Sequence, residues 1–188
     1  MITFKAVKAD DTSVMKINSK YGHIITRQPA VLAEMSPFSQ NDSCSMKKIP
    51  CIWGNKGVDA HLIADCFEFA GDNGYGEVDS RYFVLTEQTE NLGHIKPVKV
   101  LGIIQTSKRE KNKTNIDYMQ VNPFFVYNNP YSKFLNVGTT MLDSIKKIFA
   151  KDEITLYSTK SALEFFKKNG FEIVKDFGVD DILMKLKK

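Results

Sequence analysis

Residues 133–138, Lys-Phe-Leu-Asn-Val-Gly, carry the arrangement in this chain most suited to chemistry. They open an amphipathic run in which Met141, Leu142, Ile145, Ile148 and Phe149 form one apolar stripe of helical period. The first N–H groups of a helix have no intrahelical acceptor and lie at the positive end of its dipole, which suits a phosphate. Residues 153–158, Glu-Ile-Thr-Leu-Tyr-Ser, then read as a buried strand. A second helix is expected from Ser161, because Ser161-Ala-Leu-Glu164 has the form of a capping box. Asn169-Gly170 reads as its left-handed stop, with Phe171 packing behind.

The elements that must position this unit are legible to different degrees. Residues 2–8 alternate apolar and polar and read as a first strand, and Asp10-Asp-Thr-Ser13 as a helix start. Residues 26–57 are poorly patterned, with Pro29, Pro37 and Pro50, and are expected to form short helices and a long loop. Residues 61–70 place Leu62, Ile63, Cys66, Phe67 and Ala70 on a helical stripe. Strands are expected at 82–86, 98–106 and 115–121, with an exposed hairpin turn at 108–114. Residues 171–176 and 182–186 close the chain as a hairpin. This order, strands then a helical crossover then strands, implies an α/β (α+β) fold with a mixed, mostly antiparallel central sheet and helices on both faces.

Composition bounds the function. At 188 residues, 43% hydrophobic and 26% charged, the chain suits a single globular domain over 1–188. No stretch approaches the ~20 apolar residues of a membrane span, and the first residues lack the pattern of a signal peptide. Cys44, Cys51 and Cys66 are odd in number and form no Cys-x-x-Cys pair, so a cytoplasmic protein with reduced thiols is expected. His23, His61 and His94 have no ligand-spaced partners, and no metal is expected. The net charge of +4 is uneven: residues 1–94 hold 9 Lys/Arg and 12 Asp/Glu, residues 95–188 hold 17 and 10. A basic half suits an anionic ligand, and equally a solvated lysine-rich face. No basic-aromatic stripe calls for nucleic acid.

The loop, the helix it opens and the segments after them resemble the acyl-CoA-binding core of the GNAT superfamily of N-acetyltransferases. The family loop runs Gln/Arg-x-x-Gly-x-Gly/Ala; here Lys133, Asn136 and Gly138 stand at those positions, followed by Thr139-Thr-Met-Leu142. Val121-Asn-Pro123 resembles the family's Val-x-Pro, and the run from Ala162 to Phe171 its Ala-x-x-Phe-Tyr-x-x-x-Gly-Phe. The match covers 98–186, which would be the acyl-CoA-binding core, leaving 10–80 as acceptor-side helices and loops. Asn136 replaces a glycine, and Asn readily accepts a left-handed backbone. Pro123 lies fifteen residues before Gly138, where the family usually has about eight, and the surplus is aromatic and uncharged. Thr159 stands where an asparagine is common, and Phe166 where many members carry a tyrosine that protonates the departing thiolate.

The resemblance implies a strand splay in which the backbone of Met119, Gln120 and Val121 pairs with the pantetheine arm of CoA. It implies a pyrophosphate held by Phe134, Leu135, Asn136, Val137, Gly138 and Thr139, with Lys133 adding charge, and cofactor contacts at Thr159 and Phe166. It implies acetyl-CoA as co-substrate and an unidentified amine, small molecule or protein, attacking directly in a ternary complex, in a monomer or homodimer. Val121 N–H is the candidate to polarise the thioester carbonyl. For proton transfer the candidates are Tyr157, Tyr118 and Asp117, with Glu87 a further carboxylate; each also suits ordinary packing or a solvated charge. Trp53 reads as a core anchor or an acceptor-pocket wall, and residues 124–131 as an acceptor-side lid or partner surface. Two other readings stand beside this one: a non-catalytic CoA-binding or regulatory module, and a GNAT toxin acetylating charged tRNA.

Overall fold

The structure is a computed structural model that describes residues 6–7, 13–17, 25–54, 57–73, 79–125, 134–178 and 181–187. Lys133, His23 and residues 126–132 lie outside the described residues. Two sheets are present among the described residues. The larger runs in the order β1-β4-β5-β6-β7-β9-β11-β10, with β1 Ala6–Val7, β4 Val31–Met35, β5 Asp79–Thr86, β6 Val100–Glu110, β7 Lys113–Val121, β9 Glu153–Ser158, β11 Ile182–Leu186 and β10 Phe171–Asp176. All its pairings are antiparallel except β7 with β9. The smaller joins β3 Ile25–Pro29, β2 Ser13–Ile17 and β8 Phe134–Leu135.

Each face of the large sheet carries its own apolar cluster. One is built on α3, Val137–Ile148, whose Met141, Leu142 and Ile145 are fully buried against Phe83, Leu85, Ile104, Leu156 and Met184. The other lies under α1, Gln40–Trp53, and α2, Val58–Asn73, where Met46, Ile49, Ile63 and Phe67 meet Val84, Val100 and Ile103. Alternation sorts the strand residues between them: Phe83 and Ile104 face α3, Val84 and Ile103 face α1 and α2.

The strands expected at 115–121, 153–158, 171–176 and 182–186 form, as do the helices carrying the stripes. Four expectations are corrected. Ser13 begins a strand rather than a helix, because 13–17 pairs on both sides, with β3 and β8. Residues 40–53 form one continuous helix: Ser39 Oγ accepts the Asp42 N–H at 3.3 Å, and burial of Met46, Ile49 and Trp53 holds the segment straight through Pro50, which removes one helical N–H. The buried face of α2 is Ala60, Ile63, Ala64 and Phe67, leaving Leu62 42% exposed. The capping box at Ser161 does not form. Helix α4 spans Leu163–Lys168 with Ala162 as its cap, and Ser161 Oγ lies 2.9 Å from Thr159 Oγ1 instead. Trp53 is a core anchor, 3% exposed, its Nε1 without a partner among the described residues.

Arg81 ties β4 to β5 at the rim of the α3-side cluster. Its Nε and Nη2 each donate to Glu34 at 2.7 Å, and its guanidinium lies 5.1 Å from the ring centres of both Phe83 and Phe149. Lysine offers neither the fork nor the planar stack. Arg81→Lys is expected to cost about 1 kcal/mol, a fall of about 2–4 °C in the thermal midpoint, readable by calorimetry.

Candidate active site

Parallel pairing of β7 with β9 runs from Lys113↔Glu153 to Ile116↔Leu156 and stops there. Both strands continue, β7 to Val121 and β9 to Ser158, so residues 117–121 and 157–158 diverge with a gap between them. Each is held from its outer side, β7 by β6 and β9 by β11. The Asn122 N–H donates to Leu101 O at 2.8 Å; ladder alternation therefore turns the N–H and C=O of Val121 and Met119 away from β6, toward the gap. The side chains alternate as well. Met119 and Val121 pack on the α3 side, whereas Gln120 Oε1 accepts the Ala60 N–H at 2.7 Å and Tyr118 packs on the α2 side.

The N-terminus of α3 stands at the end of this gap. Asn136 caps it in the left-handed conformation at φ 60°, ψ 17°, the geometry its residue type tolerates. Val137, Gly138 and Thr139 follow as the first helical residues, their N–H groups ahead of the first helical bond, from Thr140 N to Asn136 O at 2.8 Å. Gly138 is needed for packing. A Cβ there would lie 2.9 Å from Phe165 Cζ and 3.4 Å from Val121 Cγ2, so the helix start rests directly on β7 and α4. Phe134 and Leu135 pair with Lys16 and Met15, so β2 backs this turn and engages part of their backbone.

The other residues named from sequence lie in varied settings. Phe166 is 9% exposed and sits edge-on to Phe165 and Phe171, at ring separations of 5.1 and 5.8 Å, within the α3-side core. Its neighbour Phe165, at the phenylalanine of the Ala-x-x-Phe-Tyr pattern, is the ring that meets Gly138. Thr159 is exposed, Tyr157 is half exposed against Phe177, and Glu87 pairs with Lys99 at 2.7 Å.

Asp117 marks the apex of the gap. The β6–β7 register moves from Gln105↔Tyr118 to Thr106↔Ile116, leaving Asp117 as the extra residue of a β-bulge. Its Oδ1 accepts from Ser107 Oγ and Asn115 Nδ2, both at 2.8 Å. Cys66 of α2 lies nearby: burial pushes its thiol up, as do Asp65 and Asp117, against a hydrogen bond from Gln105. It is therefore a thiol at neutral pH and poorly suited to carry an acyl group. Burial, then Cys66 and Asp117, push Tyr82 to about 12. Below pH 10 both folded and unfolded chains hold this proton, and above it the unfolded chain loses it first, so stability falls as the pH rises from 10 to about 12. Tyr82→Phe is expected to remove that part of the alkaline loss, measured by denaturant unfolding between pH 9 and 12.

No motif points to Gln105, Ser107 or Asn115, and sequence reasoning misses them. The signal available is the alternation itself, Gln105 and Ser107 on β6, then Asn115 and Asp117 on β7. Among the described residues no group of three or more His, Cys, Asp and Glu is arranged to hold a metal, and no helix is long and apolar enough to cross a membrane.

This arrangement is that of the GNAT fold: a mixed, mostly antiparallel sheet, splayed between two parallel neighbours, with a glycine-bearing helix start at the splay. Solved structures with the same fold include a PaiA N-acetyltransferase from Thermoplasma acidophilum in complex with coenzyme A, with a TM-score of 0.52 and 15% identity, covering 86% of this chain and 100% of that one. An acetyltransferase from Thermus thermophilus matches with a TM-score of 0.56 and 12% identity over 83% and 94% of the two chains. A protein from Desulfovibrio desulfuricans assigned to the GNAT acetyltransferases matches with a TM-score of 0.58 and 8% identity over 85% and 99%. No protein-family model and no curated protein sequence matches the chain.

Proposed function

We propose that the chain is an acyl-CoA-dependent N-acyltransferase, a single GNAT-like domain that transfers acetyl from acetyl-CoA to an amine by direct attack in a ternary complex. The observation that carries this reading is the gap beyond Ile116↔Leu156 with the start of α3 beside it. The backbone of Met119 and Val121, turned into that gap, would pair with the pantetheine amides, and Val121 N–H would polarise the thioester carbonyl. Val137, Gly138 and Thr139 would present N–H groups to the pyrophosphate.

Bound acetyl-CoA supplies an acyl group already activated as a thioester. The chain's part is to orient it and to admit the amine. Phe166 carries no proton to give, so the thiolate leaves without a tyrosine at that position. The protonated state of Cys66 favours direct attack over an acyl-cysteine.

The experiment is the thermal midpoint with and without saturating acetyl-CoA and free CoA. A ligand at ~100 times its Kd adds about 2.7 kcal/mol, a rise of about 5–10 °C for a chain of this size. A rise with both ligands, with release of free thiol when an amine is added, is the expected result. A rise without turnover of any amine would mark a CoA-binding regulatory module, and no rise would overturn the reading.

A further inference from the structure

The first turn of α2 takes its cap from a distant strand. The helix begins at Val58, and its first helical bond runs from His61 N–H to Gly57 O at 3.1 Å. The residue before a helix ordinarily turns a side-chain oxygen to the N–H two or three places on. Gly57 has no side chain, and a Cβ there would lie 3.1 Å from the Cβ of the core anchor Trp53. The acceptor comes from β7 instead: Gln120 Oε1 accepts the Ala60 N–H at 2.7 Å.

Gln120 stands where β7 is held from one side. Residues 113–116 pair with both β6 and β9, whereas 118–121 pair with β6 alone. The N–H and C=O of Gln120 belong to its ladder with Ile103, and those of Met119 and Val121 turn into the gap. Its side chain leaves the sheet on the α2 face, opposite those of Met119 and Val121. Further along α2, Cys66 lies by Asp117, so the helix borders the splayed half of β7.

A ligand shifts only what it contacts differently in two states. Amides pairing with Met119 and Val121 would give this stretch the second neighbour that it lacks, and would fix the backbone from which Gln120 reaches. The Ala60 N–H would then meet an acceptor held in place, and the first turn of α2 would open less often.

We infer that Gln120 is a positioning residue that ties the start of α2 to the cofactor strand, so that CoA in the gap firms the helix start on the opposite face. This rests on the transferase reading above. Gln120 acts through the Ala60 N–H and has no part in moving a proton or polarising the thioester. Helix α2 lies in the stretch expected to receive the amine, so cofactor binding readies the acceptor side.

The test is amide hydrogen exchange of the full chain at Ala60, read by NMR with and without saturating CoA, beside calorimetric titration of CoA. In the parent, CoA is expected to slow Ala60 by about fivefold or more. Ile104 in the sheet core is the control, since CoA slows it through global stability in every variant. Gln120→Met keeps the length and removes the acceptor; Ala60 is expected to exchange faster and to lose its response to CoA, while Ile104 keeps its own. Gln120→Glu keeps an oxygen at the positive end of the helix and is expected to restore the response. Should Gln120→Met not fold, the parent and Gln120→Glu still decide the matter. CoA binding with no change at Ala60, or a response kept in Gln120→Met, would make the cap a structural bond only and overturn the inference. No heat of CoA binding in the parent would bring down the transferase reading, and this inference with it.

Discussion

Thr139→Glu is expected to abolish most of the CoA-induced rise in thermal midpoint while leaving the unliganded protein as stable as before, or slightly more so. The two effects separate because they act on the same N–H groups in opposite ways. Thr139 is the third residue of α3, half-buried at the positive end of the helix dipole. A carboxylate there suits the dipole and is worth about 0.3–1 kcal/mol to the fold. The same carboxylate would face the pyrophosphate, compete for its donors and repel its charge. Loss of CoA affinity of at least tenfold, about 1.4 kcal/mol, is expected by calorimetry. A variant that binds CoA as the parent does would place the pyrophosphate elsewhere. Ordinary destabilisation cannot mimic the expected pattern, because the unliganded midpoint is measured in the same experiment.

Gly138→Ala is expected to destabilise the protein by about 1–2 kcal/mol, and the sign to reverse when Phe165 is made smaller. Alanine is the better helix former by up to about 1 kcal/mol, so propensity alone would stabilise. Against it stands a Cβ placed 2.9 Å from Phe165 Cζ and 3.2 Å from Cε2, in a buried position where overpacking costs about 1–3 kcal/mol. The steric effect wins while the ring is present. In a Phe165→Leu background the obstruction is gone, and Gly138→Ala becomes neutral or stabilising. A double-mutant cycle by denaturant unfolding measures this coupling directly. Equal cost in both backgrounds would show that Gly138 is held by something other than the ring. The requirement belongs to this chain in particular, since the family loop it resembles accepts Gly or Ala at this position.

Much of the α3 unit can be read without coordinates. Met141, Leu142 and Ile145 recur at helical spacing, Gly170 turns left-handed at φ 88°, and 153–158 forms the strand that its apolar run suggests. Each signal is local: a period, a turn residue or a short apolar run acts over a few neighbours and needs no distant partner. The same locality explains the errors. Pro50 argues against a helix through 40–53, yet the burial of Met46, Ile49 and Trp53 outweighs the single lost N–H. Serine and glutamate three apart at 161 and 164 spell a cap that the chain does not use.

Periodicity and turn chemistry are enough to specify the class of fold and the helix start that would hold a phosphate. They do not specify where β7 and β9 part, which of the adjacent rings Phe165 and Phe166 meets Gly138, or that Asp117 and Gln105 each end with a buried oxygen that has no partner among the described residues. Those outcomes depend on register between strands and on side chains brought from β5, β6, β7 and α2, segments that meet only when the chain has folded. No local pattern encodes a hydrogen bond left unmade. It arises only when packing has closed around the group and removed the water that would have met it.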